Sequence, residues 1–306
     1  MQEHARGRIR LTILAAVLLC CAVGGFAWFR IHASRTFFDP RVLLSRFPAE
    51  DAMVVNIDFA SIRNAGLLGE SKAAIEPEYK QFRDATGLDY KRDLDSAVAS
   101  FSHSGTFFIA RGRFNWDKLR GYAASQGGSC YQDLCRMQGS TPERHISFLP
   151  LREDAIALAV STNDLAATRL TKTGQPVTTA LPSAPVWISV PGAELRRQDA
   201  LPPGMRSMLS ALRNADRVVL TLGPGAPGIE AHLDALCRTQ NDARVLASQL
   251  RLATSGLKQA LARDSKVSSD ELGAMLAAGA FDQTDRRVIG KWPVQKALLD
   301  ALTSGI

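Results

Sequence analysis

Five histidines are the first residues able to hold a metal or carry a proton, and their spacing supports neither role. His4, His32, His103, His145 and His232 include no i, i+4 pair and no His-Glu-x-x-His, the arrangement that puts two imidazoles on one helix face. A dispersed hydrolase or transferase site would draw on His145 or His232 with one of the aspartates, because such sites are defined by geometry rather than by spacing. Carboxylates gather at Asp89, Asp93 and Asp95 in TGLDYKRDLDS and at Asp282 and Asp285 in FDQTDRR. Paired carboxylates can hold calcium or act as acid and base. Here the alternating Asp/Asn pattern ending in Glu is missing, and Lys91, Arg92, Arg286 and Arg287 stand beside them, so they read as capped and locally neutralised loops. GPGAPG (223–228) lacks the Lys-Ser/Thr of a phosphate-binding loop and leads into strand-like IEAHLDAL, which makes it a turn. There is no G-x-S-x-G elbow, so one serine hydrolase arrangement is excluded. The sequence assigns no catalytic, metal-binding or cofactor-binding residue, and no cofactor is expected.

Cysteines are more informative. Cys130 and Cys135 bracket Tyr-Gln-Asp-Leu, two strand ends around a tight turn. Their alternatives are a disulfide, which suits an oxidising compartment, and two unpaired thiols. Neither has a nearby second Cys or His pair for zinc. Cys237 reads as a buried thiol, and Cys20 and Cys21 fall inside an apolar run.

That run, Leu11 to Phe29, holds 19 residues without a charge, entered through Arg6, Arg8 and Arg10 and left through Arg30. About 20 apolar residues cross a bilayer as a helix. Gly25-Phe26-Ala27 could serve a signal peptidase, but cleaved signals carry shorter runs of about 7 to 15 residues, so an uncleaved anchor is expected. Arginines flank both ends and do not set orientation; the short tail before the run is expected inside, with the remainder exported to the periplasm. Net charge is +7 over 306 residues. Seven arginines and three acids in residues 1–50 account for +4 of it, leaving 30 basic against 27 acidic groups afterwards. Nucleic-acid binding is therefore unsupported, and attraction of the arginines near the run to anionic lipid is the simpler reading. RGRFNWDKLRGY (111–122) interleaves basic and aromatic residues, but its aromatics are natural anchors for a helix.

Among the elements that must position these residues, AMVVNIDF (52–59), SAVASFSH (96–103), GTFFIARG (105–112), HISFLPL (145–151) and AIALAVS (155–161) read as strands. PEYKQFRDATG (77–87), FNWDKLRGYAASQGG (114–128) and NDLAATRLTKTG (163–174) read as helices. After the proline-rich stretch Pro176–Pro185 the order recommences: APVWISVPGAELR (184–196), a proline-led helix feeding RVVLTLG, GIEAHLDAL (228–236), a long helix over 241–262, RRVIGKWP (286–293) and a closing helix over 294–305. The expected fold class is α+β, an N-terminal transmembrane helix followed by two similar antiparallel-sheet-plus-helix repeats. Its parts are a tail (1–10), the anchor (11–29), a linker (30–50), a first repeat (51–175) and a second (176–306). Paired strands argue against a doubly wound parallel sheet; whether the units share a sheet or stack their helices is open.

TGLDYKRDLD and GRFNWDKL, with DARVLASQLRLATSGLKQ in the second half, resemble a group of bacterial membrane-anchored proteins typical of acidobacteria, in which T-G-x-D-Y-x-x-D-L-D precedes G-R-F-x-W-x-K-L. The resemblance implies an envelope location and supplies no catalytic residue.

The expected function is a non-enzymatic binding or scaffold module of the cell envelope, contacting the lipid bilayer through residues 11–29 and a protein partner or a second copy elsewhere. The alternatives are the dispersed hydrolase or transferase, and an assembly factor that docks a partner through the amphipathic helix at 241–262.

Overall fold

A computed structural model describes residues 37–48, 51–68, 76–174, 177, 180–196, 212–225, 228–263 and 271–295. The apolar run at 11–29 and most of the closing helix expected over 294–305 lie outside them; Val294 belongs to a strand instead.

Branched and aromatic residues in alternation make the strands β1 (Met53–Ile57), β2 (Leu94–Ser102), β3 (Gly105–Gly112), β4 (Ser129–Tyr131), β5 (Leu134–Gln138), β6 (His145–Arg152) and β7 (Ala155–Ser161). After residue 180 follow β8 (Val186–Pro191), β9 (Ala215–Gly225), β10 (Gly228–Cys237), β11 (Ala280–Thr284) and β12 (Arg287–Val294). All twelve join one sheet in the order β11-β12-β10-β9-β8-β1-β2-β3-β7-β6-β5-β4. Every ladder is antiparallel.

Helices are α1 (Pro40–Leu44), α2 (Phe59–Asn64), α3 (Pro77–Thr86), α4 (Tyr90–Asp93), α5 (Trp116–Ser125), α6 (Gly192–Leu195), α7 (Gln240–Arg263) and α8 (Glu271–Ala277), with a 3₁₀ helix at Ala166–Thr171. Their ends follow local chemistry. Pro77 opens α3, and Gly87 closes it at φ 74°, a left-handed cap that costs glycine least. Asn115 caps α5 by accepting from the Lys118 amide at 3.1 Å, and Asp39 caps α1 by accepting from the Arg41 amide at 2.8 Å.

The expected fold class is corrected by this sheet. A mostly β architecture with one continuous sheet replaces the two separate sheet-plus-helix repeats, and no described helix is long and apolar enough to cross a membrane. The physical reason is edge pairing. Strand β2 takes one edge of β1 and β9 one edge of β8, and the two strands satisfy their remaining edges on each other, matching Val54 with Ser189, Val55 with Ile188, Asn56 with Trp187 and Ile57 with Val186. The helix expected over 163–174 is also shorter, tightening into the 3₁₀ turn, while FDQT, read as part of a loop, forms most of edge strand β11.

Register determines which side each core occupies. Residues paired across ladders share a face, and neighbours in a strand alternate. On one face, Phe107, Ile109, Leu149 and Ala159 pack beneath Leu43 and Phe47 near α1 and Leu170 of the 3₁₀ turn. The opposite face carries α5, with Leu119 and Ala123 against Phe148, and α7, with Leu246 and Leu250 over Val218, Leu233 and Val288. Gly290 lets the Trp292 and Phe281 rings lie close to the strand: a Cβ there would come within 2.9–3.0 Å of them.

Candidate functional site

The face that carries α1 has a groove of about 270 Å³ at the β1–β8 seam. Four adjacent strands supply its floor through Ser100, Val54, Trp187, Ser189 and Val219, which the register places on one face. Leu44, Phe47 and Pro48 make one wall, and Val177, Leu181 and Pro182 contribute to the lining from the connection before β8. Asp51 and Arg217 are its charged lining residues. Trp187 is 1% exposed, so it forms the base of the groove rather than a mobile wall. Arg217 is exposed and makes no ion pair with any described residue. No local signal marks this groove, because its floor forms only when Val54 pairs with Ser100, Ser189 with Val219 and, across the seam, Val54 with Ser189.

A second cavity, of about 250 Å³, lies where the two resemblance segments meet, lined by Thr86, Gly87, Asp93, Arg113, Phe114 and Asn115 among others. Asp93 is its electrostatic centre. Arg92 donates to both carboxylate oxygens, at 3.0 and 2.7 Å; Arg113 Nη2 donates at 3.1 Å; and the Asp89 amide donates at 2.9 Å. The hydrogen bonds from Arg92 lead in holding this carboxyl below the usual aspartate range, against the opposing effect of burial. Its side chain is 10% exposed, and a half-satisfied carboxylate at that depth would cost several kcal/mol, on the order of 3.

The other residues singled out by type do not converge. Asp89 caps α4 through the Lys91 amide at 3.0 Å, and Asp95 pairs with Arg63 at 3.2 Å. Asp282 lies on β11, and Asp285 sits at φ 49° in the turn to β12. His232 Nε2 lies 3.1 Å from Glu230 Oε2 on β10. His145 pairs with Ser161 on β6, seven strand spacings away, or about 34 Å at ~4.8 Å per strand, so the two imidazoles cannot share a substrate. Among the described residues no group of three His, Cys, Asp or Glu side chains is placed to hold a metal. The glycines of GPGAPG end β9 and begin β10, with Gly225 facing Gly228. In RGRFNWDKLRGY, Phe114 and Trp116 meet at a tilt, ring centres 5.5 Å apart, against the α5 core, and Trp116 Nε1 donates to the Glu153 carbonyl at 3.2 Å.

Cys130 and Cys135 face each other across β4 and β5 and are joined by a disulfide. Cys237 is a buried free thiol, raised in pKa by burial.

Sequence reasoning also passed over an aromatic pair at the start of the described chain. Phe37 and Phe38 meet edge to face at 4.9 Å. The Arg46 guanidinium lies 4.9 Å from the centre of the Phe37 ring, and that of Arg111 lies 4.6 Å from the centre of Phe38. Arg152 approaches both rings, at 5.2 and 5.8 Å. The signal available was FF followed by arginines, but Arg111 and Arg152 arrive from distant strands.

No family model matches the chain, and no curated protein matches it. Solved structures of TP0453 are similar over most of its length. Crystal form III has a TM-score of 0.49 at 10% identity, covering 86% of this chain and 98% of that one. Form I has 0.44 at 9% identity over 86% and 98%, and form IV 0.41 at 10% over 85% and 96%.

Proposed function

We propose that this protein is a non-enzymatic binding or scaffold module of the cell envelope, tethered to the inner membrane by residues 11–29 with its sheet in the periplasm. The observation that carries the binding role is the seam groove. Drug-sized ligands occupy about 300 to 1,000 Å³, so a groove of about 270 Å³ suits one or two large apolar side chains of a partner protein, seated on Val54, Trp187 and Val219. Such anchors supply most of the affinity of many interfaces, and Arg217 at the groove can pair with an acidic neighbour of the anchor.

The test is a photo-crosslinking residue placed at Arg217 of the full chain in cells. A single discrete adduct that disappears when Val54→Trp fills the groove is expected. Absence of any adduct, or one indifferent to Val54→Trp, would overturn the reading. Location is tested separately by labelling Cys130, exposed on edge strand β4, with a membrane-impermeant thiol reagent after mild reduction in intact cells: reaction supports the periplasm, and protection until lysis contradicts it.

A further inference from the structure

We infer that the arginine-lined end of the domain around Phe37 and Phe38 docks on the anionic lipid headgroups of the bilayer that holds residues 11–29. This deepens the proposed function and rests on the tether reading of that run. Three observations carry it.

The first is reach. Residues 30–36 separate Phe29 from Phe37, and seven residues span at most about 25 Å when fully extended. The Phe37–Phe38 end is therefore held near the membrane surface whatever path the connection takes, and Arg30 and Arg35 lie within that connection.

The second is charge. Arg46, Arg111 and Arg152 converge on the two rings from α1's flank and from β3 and β6. Arg111 and Arg152 share a single carboxylate, Asp154, at 3.5 and 3.2 Å; Asp95, at 4.0 Å from Arg111, is also paired with Arg63. Arg46 makes no ion pair with a described residue and donates instead to the carbonyls of Leu170 and Thr171 at 3.2 and 3.1 Å. Exposed Arg41 stands on α1, just before Arg46. The patch keeps positive charge that its own carboxylates do not cancel.

The third is geometry. Ring faces hold the guanidiniums in place through cation–π contact, and a planar guanidinium matches phosphate oxygens in a fork that an ammonium lacks. Each arginine brought to an anionic membrane surface strengthens association by roughly fivefold, within a screening distance of about 10 Å.

The test uses the full chain reconstituted in vesicles of neutral phosphatidylcholine, or of phosphatidylcholine with phosphatidylglycerol. Cys20→Ala and Cys21→Ala remove competing thiols, and a fluorophore on Thr171→Cys reports quenching by headgroup spin-labelled lipid. Stronger quenching in anionic than in neutral vesicles, at least twofold and abolished by 0.5 M salt, is the expected result. Arg46→Gln, Arg111→Gln and Arg152→Gln together should remove the difference, while the three Lys replacements should retain part of it. Equal quenching in both vesicle types, or a difference that salt leaves intact, overturns the inference even if the Gln variant does not fold. Inorganic phosphate added at millimolar concentration separates the sources: suppression of the quenching difference by phosphate in place of lipid would overturn the membrane as the occupant. Flotation with vesicles in high salt reports the tether independently, so a chain that floats without headgroup proximity defeats only the docking surface, and one that fails to float defeats both.

Discussion

Arg113 reaches back from the start of the β3–α5 connection to Asp93 at the end of α4, its Nη2 3.1 Å from Oδ1. Two segments about twenty residues apart are thereby pinned around a carboxylate that Arg92 and the Asp89 amide also hold.

Replacing Asp93 should accordingly be expensive. Asp93→Ala leaves the Asp89 amide and two largely exposed arginines, at 66% and 72%, without their shared acceptor, and a loss of about 1.5 to 3 kcal/mol is expected in urea unfolding. Arg92→Ala should cost less, because Arg92 is 66% exposed and Arg113 remains. The carboxyl is held below its ordinary range, chiefly by Arg92. Its contribution is thus full above the unfolded pKa, near 3.9, and is lost as pH falls through the lower folded value. Wild type should lose stability below about pH 4 more steeply than Asp93→Asn, which is read from denaturant midpoints across pH 2 to 7.

The β1–β8 ladder makes a different prediction. Asn56→Pro removes a backbone donor and forces the strand out of register, costing about 3 kcal/mol or more. Since the ladder joins the two ends of one sheet, wild-type unfolding followed by hydrogen exchange of the β6 amides and of the β10 amides should coincide. Separate transitions in the wild type would show that the two ends melt independently.

Reducing the Cys130–Cys135 disulfide opens a very short loop, for which chain entropy predicts a loss of about 2 kcal/mol. The two cysteines are not equivalent. Cys135 is 1% exposed beneath α5, whereas Cys130 is exposed on edge strand β4. Cys130→Ser should therefore lower the melting temperature less than Cys135→Ser under equal reducing conditions.

Cys237 lies in the core beside α7, and burial raises its thiol pKa. In a Cys20→Ala, Cys21→Ala background, native protein at pH 8 should resist a thiol reagent and react fully in denaturant. Labelling as fast as a free thiol would contradict the packing under α7.

At Gly290 an added methyl meets two rings at 2.9–3.0 Å. Gly290→Ala should destabilise by about 1 to 3 kcal/mol, and pairing it with Phe281→Leu should recover part of the loss.

Strand β7 is legible because AIALAVS is a short apolar run with branched residues, and α3 because Pro77 and Gly87 punctuate it. Edge strand β11 was not, since AFDQT carries one buried anchor, Phe281, among polar residues. The β1–β8 pairing had no local signature at all. Val54 and Ser189 look like parts of two separate units, and nothing in a five-residue strand names the partner of its second edge. For the same reason the seam groove and the arginines around Phe37 escaped notice: their residues are neighbours only after distant ladders close. The carboxylates, by contrast, could be read locally, because Asp89 caps within two residues and Asp93 takes its shortest partner from the adjacent Arg92.

Pairing Ile57 with Val186 has a temporal cost during synthesis. At roughly 5 to 20 residues per second, β8 emerges some 6 to 26 seconds after β1. In that interval the first seven strands can zip together while β1 offers a bare row of amides and carbonyls to any extended chain nearby. A nascent polypeptide stalled before residue 186 is therefore a sticky intermediate, and completion of the sheet from within the same molecule is what removes the hazard.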